Sequence, residues 1–484
     1  MKIANQLRGR ARLSPARRSQ NQPQPGAPRK GPPCLSRQDL GGILIVTLLL
    51  ASILGITLGS YLYWVRTQNV LVAESQSWNS ALALAEAGIE EGLAQVNVNF
   101  GQDPTAIGNY TSSAATNFGA LGSISPGAYG PKTNSTLGTG SYSVTIQPAQ
   151  NPNAGPTITA VGYTTLPFVG RPISRTVQIT TSIKSLLANG ITALTNVDLK
   201  GNGLTTDSYD SSDWLHFPPD GRWNSSNRLA GGDVASLYGV IGIQNANIYG
   251  HVMTGVNDTN APNIGSNGRV GDLPANWSGS GIESGWWLQD FNMDVPDIQP
   301  PYGASAMPVA QNPNFPSTST NTWILSSQQY YWSGDFAIKN NQTLYVSGNA
   351  TLYVTGNFNM NNNSFLTIGS GASLKIYIGA SSGTAVSGSF GVVNTSGNSS
   401  TFAIFGLPTL KTLTWNGNNS YLGTVYAPEA SFNLGGGGSG DYDFQGAITV
   451  GSISMNGHFN LHYDQNLRRL APASGFTVTS WREL

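Results

Sequence analysis

The stretch TLYVSGNATLYVTGNF, residues 343–358, carries one octapeptide twice, with six of its eight positions identical. In each copy a Leu and a Val lie two residues apart with a Tyr between them. That spacing puts the aliphatic side chains on one face of a strand and the tyrosine on the other. Gly348-Asn349 and Gly356-Asn357 follow, residue types suited to corners that need positive φ. Outward from this repeat, apolar pairs at i and i+2 occur at Phe336/Ile338, Leu344/Val346, Leu352/Val354, Phe358/Met360, Leu366/Ile368 and Leu374/Ile376. Successive pairs start 8, 8, 6, 8 and 8 residues apart, so the pattern recurs every 22 residues. Phe336 then falls above Phe358, Leu344 above Leu366 and Leu352 above Leu374. Three short strands per turn with like residues stacked make a parallel β-helix-like solenoid. The same alternation fits a meander, in which 344–346 would pair antiparallel with 352–354 through Gly348-Asn349.

Further strand-like pieces lie at Phe402–Phe405, Leu413–Trp415, Phe432–Leu434, Ile448–Val450, Ile453–Met455 and Phe459–Leu461. Upstream, Val197–Leu199 and Val240–Val252 read as coils of the same body, which spans 186–470. The interval 205–330, rich in Pro, Trp and Asn, reads as long loops, and 471–484 as a C-terminal tail. Only 10% of the residues are charged and 59 are glycine. Ordinary soluble domains are about 25% charged. The balance suits an extracellular β protein, and a net charge of zero gives no general attraction to nucleic acid. Cys34 is the only cysteine, so no disulfide forms within the chain.

From Gly42 to Val65 no residue is charged, and Tyr61, Tyr63 and Trp64 gather at the far end. About 18 such residues are enough to cross a bilayer, and aromatic rings favour its interface. Nine Lys or Arg and one acid, Asp39, precede the segment, which leaves fifteen basic and twenty-three acidic residues for the rest. The positive-inside rule therefore places the leader, residues 1–41, in the cytoplasm. The chain is expected to be a single-pass protein of an inner or plasma membrane, with a periplasmic or extracellular C-terminal ectodomain. A cleaved secretory signal would need a shorter apolar core and a small-residue cleavage site. Past the membrane, Trp78, Leu82, Ala85, Ile89, Leu93, Val96 and Phe100 fall at helical spacing on one face. Gly42 to Asn97 would make one rod of about 84 Å, or two helices hinged near Arg66.

These residues resemble the PilX-type minor pilins of type IV pili. The opening of the apolar segment matches at Gly41-Gly42-Ile43-Leu44-Ile45-Val46, and the end of the helix at Ala85-Glu86-Ala87-Gly88-Ile89-Glu90-Glu91. The strands 140–146, 156–162 and 175–179 that follow are also similar. The resemblance covers about residues 41–183. It implies a pilin-like helix with a small antiparallel sheet over 66–185, pilin-like subunits as partners, and a prepilin peptidase cutting between Gly41 and Gly42. Val46 stands where most pilins have glutamate. Tyr426-Ala427-Pro428 and His462-Tyr463-Asp464 resemble an uncharacterised C-terminal domain often fused to PilX-like N-termini.

Between Ile298 and Pro428 the only carboxylate is Asp335, too few for the paired acids of a glycosidase face. His458 and His462 lack the glutamate of a zinc-protease motif and read as structural. Asp207, Asp210 and Asp213 are candidate Ca²⁺ ligands on a loop, since hard cations take several oxygens. The alternative for them is turn residues capping their own backbone. Gly435–Gly438 has no Lys-Ser/Thr after it and reads as a loop tip. Tyr345 and Tyr353 are candidate sugar-stacking rings. The expected function is a membrane-anchored, type IV pilus-like structural or adhesive subunit with no catalytic activity. The alternative is an unprocessed surface adhesin or carbohydrate-binding protein.

Overall fold

The computed structural model describes residues 39–484 except 98–127, 134–139, 148–154, 168–169, 202, 214–220, 256–260, 273–278, 303–321, 362, 381–391, 417–419, 436–441, 457–458 and 471. The basic leader up to residue 38, Phe100, His458 and the tip 436–438 lie outside that set. The protein is mainly β with one long N-terminal helix, α1 (Asp39–Asn97). It divides into two compact units, Met1–Val72 and Ala73–Leu484.

In the first unit α1 runs through Arg66 without a break, so the hinged pair of helices is not formed. Every residue from Gly42 to Trp64 is exposed. The hydroxyls of Thr47, Ser52 and Thr57 donate back to the carbonyls of Leu44, Leu48 and Leu54. The surface left is aliphatic and aromatic, and the helix is long and apolar enough to cross a membrane.

In the second unit, α1 from Ala73 onward packs on an antiparallel sheet of β1 (Ala128–Thr133), β2 (Ser141–Gln147), β3 (Thr157–Thr165) and β4 (Pro172–Ser185). The expected apolar stripe is rotated. The buried seam is Ala73, Ser77, Ala81, Leu84, Ala85, Gly88, Ile89, Gly92 and Val96, whereas Trp78 is 40% exposed and Leu82 and Leu93 are half-buried. The sheet comes too close for large side chains. A Cβ on Gly162 would lie 2.0 Å from the Ala81 carbonyl oxygen, and one on Gly92 would lie 2.7 Å from Ile158. Trp78 instead takes the Arg175 guanidinium 4.6 Å from its ring centroid. The Tyr142 hydroxyl donates to Glu91.

Residues 471–484 are not a free tail. The strand Ala473–Glu483 adds to β4 as the fifth strand, burying Ala473 and Phe476 with Ile183, and Asn97 Oδ1 accepts from the Phe476 amide at 2.7 Å. Register shifts at Ala473/Phe476 and Val478/Ser480 break its alternation, which hides the strand from a period-two reading. The body between β4 and this strand is thus an excursion from the small sheet.

In that body, Thr343–Val346 pairs in parallel with Phe365–Ile368, Leu344 against Leu366, so the hairpin alternative fails. Phe336 pairs with Phe358, their rings stacked 5.3 Å apart. Leu352, expected over Leu374, pairs with Ile376. Four residues, 369–372, turn the corner there, against two, 347–348, one tier earlier. An even-numbered insertion leaves the inward face unchanged, and Gly371 at φ +74° makes the wider turn. Among the described residues these strands form sheets of nineteen, four and two.

The interval 205–330 is not loop but short parallel strands, from Thr205–Tyr209 to Thr322–Leu325. Its first strands stack on the last ones of the chain. Ile191–Ala193 and Val197–Lys200 pair with Tyr442–Asn456, and Thr205–Tyr209 pairs with Phe459–Asp464. Val234–Ser236 and Ile241–Gln244 continue the stack. The chain then returns along the body. The Tyr426 hydroxyl donates to the Pro296 carbonyl at 2.7 Å and the Tyr302 hydroxyl to that of Thr351 at 3.3 Å. Met293, Ile298 and Tyr302 are buried in the same core.

Candidate functional site

The joint between these two ends of the body gathers the charged residues. Parallel pairing sets His462 beside Asp207 on adjacent strands, and Asp443 lies two residues before His462's other neighbour, Gln445. Asp207 Oδ1 is 2.5 Å from His462 Nδ1, and Asp443 Oδ1 is 3.2 Å from Nε2. With a carboxylate at each nitrogen, the ring is an imidazolium donating both protons. Burial opposes that charge, but the bonds to Asp207 and Asp443 outweigh it and raise the pKa above its ordinary value. Trp223 stacks on the ring, centroids 3.6 Å apart. Arg228 Nε lies 2.7 Å from Asp207 Oδ2, and its guanidinium sits 5.3 Å from the Tyr249 ring centroid.

Two more buried carboxylates flank this group. Asp464 accepts from the Ser211 amide and hydroxyl, the Ser399 hydroxyl and the Asn466 amide, while burial raises its pKa. Asp233 accepts from the His251 amide at 2.8 Å and faces His251 Nδ1 at 3.2 Å and Arg468 at 3.4 Å. The His251 ring stacks on Trp286, 4.5 Å away. His462 is only 1% exposed and both its nitrogens are engaged. As it stands, the group can bind strands together and fix their register; proton transfer needs a group that reaches a reactant.

The three aspartates read as Ca²⁺ ligands take separate roles. Asp207 is buried against His462 and Arg228. Asp210 accepts from the Ser212 amide at 2.9 Å, and the Asp213 amide closes a turn onto the Asp210 carbonyl. Among the described residues no group of three or more His, Cys, Asp or Glu is placed to hold a metal. The two tyrosines are not brought together either. Tyr345 lies exposed on the four-stranded sheet. Tyr353 is buried on the nineteen-stranded one, edge-on to Tyr331 at 5.6 Å, and its hydroxyl pKa is raised by that burial. Gly41 and Gly42 lie inside α1, where nothing approaches Gly42. Trp223, Arg228, Asp443 and Gln445 have no local signal in the sequence, because their partners are far away along the chain.

Beside the joint is a cavity of about 240 Å³ lined by Arg222, Val393, Asn394, Ser420, Leu422 and Gln445, among others. Arg222 Nη2 donates to the Asn394 carbonyl at 2.8 Å, the Trp223 amide to Gln445 Oε1 at 3.1 Å, and the Asp443 amide to Ser420 Oγ at 3.2 Å.

Residues 307–470 match DUF7305, a domain of unknown function, which takes in the strands from Thr322–Leu325 to Phe459–Asp464. A search of curated proteins finds no match. Among solved structures the chain is similar to the competence-associated pilin ComZ from Thermus thermophilus, at 13% identity over 84% of this chain and 97% of that one, with a TM-score of 0.28.

Proposed function

We propose that this protein is a membrane-anchored, type IV pilus-like structural or adhesive subunit without catalytic activity. One observation carries the reading. A single helix exposes an unbroken apolar surface over Gly42–Trp64 and continues, from Ala73, as a small-residue seam against an antiparallel sheet. Each large aliphatic side chain left in water forgoes about 1.5–3 kcal/mol of burial, so the first segment belongs in lipid. The PilX-like stretch Ala85-Glu86-Ala87-Gly88 supplies Ala85 and Gly88 to the seam and turns Glu86 to solvent. On this reading the basic leader stays in the cytoplasm, a prepilin peptidase cuts after Gly41, and other pilin-like subunits are the partners. The parallel tiers of 186–470 are a β-helix-like body carried on the helix–sheet unit and presented outside the membrane. Carbonate washing of membranes and protease treatment of intact cells, or of spheroplasts where there is an outer membrane, test it. The expected result is that the protein resists carbonate and loses its C-terminal mass to protease. Release by carbonate, or full protection of that mass, would contradict it.

A further inference from the structure

The cavity at Gln445 lies outside the function proposed above, and its walls divide by chemistry. Val393 and Leu422 form an apolar side. The polar side offers donors. Gln445 Oε1 is taken by the Trp223 amide, which leaves the side-chain NH₂ to offer. Ser420 Oγ accepts from Asp443, so its own proton is available. Arg222 spends one bond on the Asn394 carbonyl and carries five N–H donors in all. A ligand here must therefore bring acceptors.

Charge narrows the class. Arg222, Arg228 and the His462 imidazolium stand against Asp207, Asp443 and Asp464, three of each sign, so the region has no net charge to draw in an ion. Size narrows it again. Sites for drug-sized molecules run from about 300 to 1,000 Å³, and this one, at about 240 Å³, holds a single ring. We propose that the cavity is a binding site for one uncharged carbohydrate ring, its hydroxyl oxygens accepting from Arg222, Ser420 and Gln445 and a C–H face lying on Val393 and Leu422. It is a different place from Tyr345 and Tyr353, the rings that suggest sugar stacking in the sequence.

The test uses the full chain in a detergent without a sugar headgroup, with glucose, galactose and N-acetylglucosamine as probes and glucuronate as the charged control. Saturation-transfer NMR and calorimetric titration are expected to show at least one neutral sugar binding with a Kd near 1 mM, and glucuronate at least tenfold weaker. Gln445→Ala is expected to weaken the binding tenfold or more, and Val393→Trp, which fills the cavity, to abolish it. Circular dichroism checks that each variant keeps the wild-type fold, and Gln445→Leu replaces either one that does not. Absence of binding by all three neutral sugars, tighter binding of glucuronate, or unchanged binding in the folded cavity variants would overturn the proposal. Anchoring and processing are read by other measurements, so this site fails or stands independently of the pilus-like reading.

Discussion

The tiers from Phe336 to Ile378 and the joint between 191–209 and 442–464 use the same parallel pairing but are held by different forces. In the first, Leu344 faces Leu366, Phe336 stacks on Phe358, and nearly every inward side chain is apolar. Neighbouring strands there are 22 or 24 residues apart in the chain. At the joint, apolar contacts such as Ile448 on Ile191 continue, but Asp207, His462, Arg228 and Asp443 are added, and partners such as Asp207 and His462 are 255 residues apart. Closing such a distance costs more chain entropy than a short turn does. A purely apolar joint would also tolerate slippage, because stacked aliphatic strands fit in several registers. A buried imidazolium between two carboxylates fits in only one.

Removing the charge pairing should therefore have the largest effect. Asp207→Ala leaves Arg228 and His462 facing each other without their shared carboxylate, and breaking a buried pair in this way costs about 3–5 kcal/mol. Urea unfolding of the solubilised full chain, followed by tryptophan fluorescence, is expected to show this loss. A loss below 1 kcal/mol would mean that the apolar strands alone hold the joint.

Leu366→Ala probes the other region, where emptying a packed site costs about 2–5 kcal/mol. The expected result is a stability loss in the same assay with the His462 pH response unchanged. A loss of that response would show that the two regions are not separable.

The third prediction is the pH dependence. The folded-state pKa of His462 is raised above its unfolded value of about 6.5. Its contribution is fully present below pH 6.5 and is lost as pH rises through the folded value. Asp464, raised by burial, acts with the same sign from about pH 3.9 upward. Stability should fall from pH 6 to pH 8, and His462→Gln should flatten the slope above pH 6.5. An equal slope in that variant would remove His462 as its source.

Thr367→Ala, one residue from Leu366 and only half-buried, should change stability by no more than about 0.5 kcal/mol. A larger loss would show that the outer face of this tier is packed against something.

The contrast also explains what could be read from the residues alone. The uncharged run Gly42–Val65 and the helix to Asn97 were legible because both signals are local. The 22-residue period was legible because each strand's partner lies one turn away, and the miss at Leu352 came from two extra residues in one corner. The helix seam was misread because the apolar stripe was traced through large residues, whereas a sheet backbone at contact distance from Ala81 admits only small ones. Asp207 was picked out for its charge but given the wrong partner, since nothing near it in the chain points to His462 or Arg228. The strand Ala473–Glu483 was lost to its bulges.

The claim that joins these parts is that the helix belongs to a processed, pilus-like subunit. N-terminal sequencing of the protein recovered from membranes tests it most directly. The account predicts a mature chain that begins at Gly42, and a chain that keeps residues 1–41 would contradict it.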